Sequence, residues 1–183
     1  KEIPLDLLLF TGVAASGDEK YKQWDIIIAK SLIHHDMDAS PIFDKYVIPS
    51  LNQKEIFPPL DYFNWSCETI NNSITNKKLN MFGKLGNGII ASGDKFISKK
   101  KDLQKIKNNI KGICALEMEG ASVAQVAYQE KIPFLIIRVI SDYADEKAAI
   151  NFEDFLSKYK KYSWLILETL LQNLIKSPLF IQN

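Results

Sequence analysis

The run FLIIRVI at residues 134–140 constrains the fold more than any other part of the chain. Its apolar residues follow one another instead of alternating, and a strand tolerates that only when both of its faces are covered. Shorter runs of the same kind lie at residues 7–10, 24–29, 88–94 and 112–116. The first is expected to end in a turn at Thr11-Gly12. Between the runs lie helical patterns: a weak one at 67–77 and a polar one at 100–109 with Leu103 and Ile106 on one face. A third spans 119–130, with Val123, Val126 and Ala127 at helical spacing, and Ile132-Pro133 ends it. Residues 152–175 read as one long amphipathic helix whose buried stripe holds Trp164, Leu167, Leu170 and Leu171. Residues 40–65, rich in proline and aromatics without a period, read as a long loop. Strands alternating with helices predict an α/β protein with a largely parallel sheet, in one domain over residues 1–183.

Composition narrows the partner. Lysine and arginine (23) nearly balance aspartate and glutamate (22), so no global field favours a nucleic acid or a membrane surface, and the expected partner is a small molecule. No apolar run approaches the roughly 20 residues of a membrane span. Cys67 and Cys114 lack metal or disulfide-framework spacing, which fits reduced thiols in the cytoplasm. The adjacent His34 and His35 have no third ligand at useful spacing, so no metal is expected. The lysine-rich stretch from Lys99 to Lys111 reads as a solvated helix face.

The strand ends hold the chemistry. In α/β sheets ligands gather where strands finish, and three runs here finish in polar groups: Ser92-Gly93-Asp94, Glu117-Met118-Glu119 and Ser141-Asp142. Taken singly, Glu119 or Asp142 could be a helix cap or a charge favoured by a helix dipole. Two carboxylates at neighbouring strand ends suit acid/base work better, because their environments can push their pKa values apart.

The motifs LEMEGA (116–121), IPF (132–134) and RVISDYAD (138–145), supported by SGDKFI (92–97), Thr11-Gly12 and HDMD (35–38), resemble the 5'-methylthioadenosine/S-adenosylhomocysteine nucleosidases of the nucleoside phosphorylase superfamily. The resemblance runs in order along nearly the whole chain. It implies a three-layer fold, a mixed and largely parallel central sheet with helices on both sides. It also implies hydrolysis of the N-glycosidic bond between adenine and a 5'-thioribose, without cofactor. By the same resemblance Asp142 is the general acid to adenine N7 and Ser141 supports it. Glu119 binds the ribose hydroxyls, Met118 packs on the sugar, and Glu117 is a neighbour in that network. Phe96 and Ile97 hold adenine, Arg138 lies near the attacking water (the alternative for it being an ion pair with a neighbouring acid at the strand end), and Val13 and Ala14 touch substrate. A homodimer is implied, with Ala39, Ile42 and Phe43 lending a partner's pocket its apolar wall.

Three departures accompany the match. The family's water-activating glutamate sits on a first strand that has no counterpart in the matched positions, so an upstream region is expected; a sheet without its first strands would expose an unpaired edge. Val13 stands where a small hydroxyl residue is usual, and Ala15-Ser16 replace a glycine pair. The loop after Asp38 is longer than usual. Two other readings stay open: a purine nucleoside phosphorylase, disfavoured by the lack of an arginine cluster for phosphate, and a degenerate homologue that binds a ligand or a polyanion.

Overall fold

The computed structural model describes residues 4–177 and 179. The FLIIRVI run lies within strand β6 (Phe134–Asp142), buried along its whole length. Both of its edges are paired. Strand β1 (Leu8–Ser16) runs parallel to it from Leu8 opposite Phe134 to Ala14 opposite Ile140. Strand β2 (Ile26–His34) runs antiparallel to it, with Ile26 opposite Val139. β3 (Glu55–Ile56), β4 (Leu85–Ser92) and β5 (Ile113–Glu117) complete a sheet ordered β3-β2-β4-β5-β1-β6. The β2–β6 pairing closes β2, β4, β5, β1 and β6 into a ring, leaving only β3 outside it. Among the described residues β1 pairs with β5 only at Ala15 and Ser16, so Leu8 to Ala14 have a partner strand on the β6 side alone and an unpaired edge is present there. The sheet is mixed as expected, and its longest registers, β1–β6 and β2–β4, are parallel.

Successive residues of β6 feed different cores, which is why its apolar character is continuous. Phe134, Ile136 and Ile140 pack with Ala121, Ala124 and Ala127 of helix α3 (Gly120–Gln129), whose small residues let it lie close to the sheet. Ile137 and Val139 join Ile26 and Ile28 beneath helices α1 (Leu60–Thr75), α4 (Ala148–Tyr159) and α5 (Trp164–Leu174). Helix α2 (Lys100–Asn109) has no fully buried residue and rests Leu103 and Ile106 on a third cluster around Ile97, Ile113 and Leu116. Each such isoleucine, fully removed from water, contributes roughly 1.5–3 kcal/mol.

Several sequence expectations change. β1 does not turn at Thr11-Gly12 but continues to Ser16. Gly12 serves a close approach, since a Cβ there would stand 3.1 Å from the Arg138 guanidinium. Helix α1 starts at Leu60, earlier than the 67–77 pattern suggested, just after Pro58-Pro59 ends the preceding extended segment. The C-terminal segment is two helices, not one. Trp24 explains the break: its ring lies 4.6 Å from Phe155, 6.4 Å from Tyr159 and 6.4 Å from Tyr162. The chain wraps this indole through the polar stretch Lys160-Lys161. Re-starting at Trp164 shifts the apolar stripe to Ile166, Thr169 and Leu170, leaving Trp164 and Leu171 about half exposed (53% and 51%).

Candidate active site

The C-terminal ends of β1, β5 and β6 meet at one cavity of about 190 Å³. A register shift between Ala14 and Ala15 marks the place where β1 leaves β6 and pairs with β5, placing Ala15 opposite both Asp142 and Leu116. Such an irregularity re-aims side chains locally. Val13, Ala14, Phe96, Ile97, Met118, Glu117, Glu119, Ser141 and Asp142, all expected in the site, line this cavity. Phe152 lines it too and was missed, because it was read as the start of the long amphipathic C-terminal helix. Its ring meets Phe96 edge-on, 6.2 Å between centroids. The signal available in the sequence was an aromatic within the first turns of a helix that follows the SDYAD motif.

Asp142 is 1% exposed, and burial raises its pKa above the ordinary carboxylate value. The Ala144 N–H, the Ser141 hydroxyl and Asp145 act on it more weakly, the first two lowering it and the third raising it. Hydrogen-bond accounting shows where a proton fits. Ser141 Oγ lies 2.7 Å from Asp142 Oδ2 and 3.2 Å from the Ala14 carbonyl, yet a hydroxyl has one hydrogen. If Ser141 donates to Ala14, its oxygen is left to accept from a protonated Oδ2. Asp142 Oδ1 meanwhile accepts from the Ala144 N–H at 3.0 Å.

The two glutamates of LEMEGA have different jobs. Glu117 is buried, and its carboxylate accepts Arg138 Nη2 at 2.6 Å, Arg138 Nε at 3.1 Å and the Gly120 N–H at 2.8 Å. The Ser92 hydroxyl also donates to it. Glu119 occupies the N-cap position of α3, but its side chain makes no capping bond and faces the cavity. The capping alternative for Glu119 thus fails, because Glu117 has taken the helix N–H groups.

Arg138 was expected beside an attacking water. It is instead 1% exposed and committed to Glu117, with Nη1 donating to the carbonyls of Ile137 (3.2 Å) and Phe10 (3.4 Å), and it lines no part of the cavity. Ala39, Ile42 and Phe43 lie away from the cavity in the loop after β2, with Ile42 83% exposed. His34 is held by Gln125 at 3.1 Å, and the His35 ring packs against Gly93, so neither histidine faces the other as a ligand pair.

The phosphorylase superfamily matches residues 1–172. The 5'-methylthioadenosine/S-adenosylhomocysteine nucleosidase of Staphylococcus carnosus is 33% identical over 171 residues, covering 92% of this chain and 71% of that protein. The Neisseria meningitidis nucleosidase in complex with methylthio-immucillin-A superposes with a TM-score of 0.80 at 26% identity, covering 91% of this chain and 69% of that one. The Colwellia psychrerythraea nucleosidase in complex with adenine gives 0.79 at 31% identity, covering 91% and 67%.

Proposed function

The chain belongs to the 5'-methylthioadenosine/S-adenosylhomocysteine nucleosidase family within the phosphorylase superfamily, and we propose how its own residues carry out hydrolysis of the N-glycosidic bond of these two substrates. The observation that supports the assignment most is a single cavity holding Asp142, whose burial raises its pKa, and a structurally uncommitted Glu119.

Breaking the bond between C1' and N9 sends its electron pair to the base and leaves positive charge on the ribose. Asp142 donates its proton to adenine N7 as that pair arrives, so the base departs neutral. Phe96 and Phe152 offer ring faces and edges to the purine, and Ile97 closes the apolar floor. Glu119 accepts from the ribose hydroxyls, and its negative charge stabilises the developing cation more than the neutral substrate. Met118 packs against the sugar. Water then forms the new bond to C1'. The resemblance assigns activation of that water to a glutamate outside the matched positions, and Glu117, the remaining carboxylate of the lining, is committed to Arg138, Ser92 and α3.

Exchanging Glu119 for glutamine is expected to lower kcat/KM for methylthioadenosine by about 10²-fold, the scale of one or two charge-assisted hydrogen bonds. The loss should be much smaller for an analogue without ribose hydroxyls. Steady-state adenine release from both compounds checks this; equal losses would remove Glu119 from ribose binding.

The phosphorolytic alternative is disfavoured by Arg138. It is the sole arginine in the sequence, and its guanidinium is buried against Glu117, out of reach of a phosphate in the cavity. The homodimer reading is supported by Ile42, a large apolar side chain held out into solvent on the loop that the resemblance assigns to a partner's pocket. A cavity of about 190 Å³ is also small beside the roughly 300–1,000 Å³ of most small-molecule sites, as suits one completed by a second subunit. Light scattering should return twice the chain mass, and Ile42→Asp should raise KM without altering the alkaline limb set by Asp142. A fully active monomer would contradict the dimer. Cys67 and Cys114 are both free thiols, in keeping with a cytoplasmic enzyme.

A further inference from the structure

We propose that Ser92 is a positioning residue for ribose recognition: by locking Glu117 in place it fixes the turn that presents Glu119 to the sugar. This rests on the ribose-binding role given to Glu119 above. Ser92 ends β4 directly opposite Glu117 at the end of β5, and it is 1% exposed. Its hydroxyl donates to Glu117 Oε1, and the Ser92 Oγ itself accepts the Ala121 N–H at 2.7 Å. Glu117 in turn accepts the N–H groups of Gly120 at 2.8 Å and Glu119 at 3.2 Å. The Ser92–Glu117 pair therefore takes three successive N–H groups at the start of α3, which an α-helix leaves without partners of its own. A helix capped from behind in this way does not need its N-cap side chain, and the Glu119 carboxylate is free for a ligand.

The hydroxyl matters because it is both donor and acceptor with one hydrogen, so its two bonds fix Glu117 in a single orientation. Arg138 holds the far side of the same carboxylate but cannot replace Ser92, since guanidinium nitrogens donate and the Ala121 N–H needs an acceptor. With alanine at 92, Glu117 loses its Oε1 donor, the Ala121 N–H is orphaned, and the 118–120 turn relaxes. Glu119 moves relative to the sugar while Asp142, on β6, keeps its partners. Displacements of this kind cost reactivity steeply, up to about 10²-fold for 1 Å.

The test compares kcat/KM for methylthioadenosine with that for its 2',3'-dideoxy counterpart, in the wild type, Ser92→Ala, Ser92→Thr and Glu119→Gln. The expected result is a ratio that falls about tenfold in Ser92→Ala, recovers in Ser92→Thr, and is lowest in Glu119→Gln, with the alkaline limb unchanged in the two Ser92 variants. Should Ser92→Ala not fold, Ser92→Cys, nearly isosteric and a poorer hydrogen-bonder, is read by the same ratio. A ratio lowered by Glu119→Gln but unchanged by loss of the Ser92 hydroxyl overturns this inference alone. A ratio unmoved even by Glu119→Gln, or no cleavage by the wild type, overturns the parent reading.

Discussion

Asp142→Asn is expected to cut adenine release by about 10²- to 10⁴-fold, the range general acids contribute, while leaving the protein at least as stable as the wild type at neutral pH. Asparagine reproduces the bonds of a protonated aspartate: its oxygen accepts from Ala144 and its amide donates to Ser141, which passes its own hydrogen to Ala14. It lacks only a transferable proton. The stability half of the prediction follows from linkage. Because the Asp142 pKa is higher folded than unfolded, the folded chain binds more protons between the ordinary unfolded value of about 3.9 and the raised one, and stability falls as pH rises through that window. Above it the ionised carboxylate costs stability that asparagine does not. The rate follows the same proton: kcat/KM should fall on the alkaline side of an ionisation above the ordinary carboxylate range, and that limb should vanish in the variant. Rates across pH, with thermal unfolding of both proteins, check the two halves together. An active Asp142→Asn enzyme would move the acid elsewhere.

The second large effect is on folding. Replacing Arg138 with methionine leaves the buried Glu117 carboxyl without its cation, and removing one member of a buried pair costs roughly 3–5 kcal/mol. For a chain of this size that lowers Tm by about 6–20 °C. Replacing Glu117 by leucine as well does not restore stability, although apolar replacement of an isolated ion pair often would. Glu117 also holds the Ser92 hydroxyl and the first N–H groups of α3, and the double change orphans them. Thermal unfolding of the two variants distinguishes this network from a plain ion pair: full recovery in the double variant would show that the α3 N-terminus does not depend on Glu117.

What the sequence showed and what it hid separate along physical lines. The β6 run was readable because both of its faces are buried, and continuous apolar character has few other meanings. That Asp142, Glu119, Met118 and Phe96 would come together at one cavity was readable because they sit in motifs at or just after strand ends, where local order along the chain is also order in space. Arg138 was placed on the correct strand, but which neighbour its guanidinium meets was left between the attacking water and an acid at a neighbouring strand end. Its guanidinium turns toward Glu117, and that meeting of β5 with β6 depends on three-dimensional packing that no spacing encodes. Phe152 was hidden for the same reason, since its place in the cavity wall beside Phe96 depends on how α4 packs at the end of the sheet. Ring closure through β2 and β6 was invisible because long-range antiparallel pairing leaves no local mark. The split between α4 and α5 left a faint one, the run of lysines and tyrosines, but its cause is Trp24, more than a hundred residues away.

The central claim, hydrolysis with Asp142 as the proton source, is tested most directly by following adenine release from methylthioadenosine while phosphate is raised from zero. The account predicts a rate that is already full without phosphate, yields free methylthioribose, and is lost in Asp142→Asn. A rate that requires phosphate and yields the sugar 1-phosphate would contradict it.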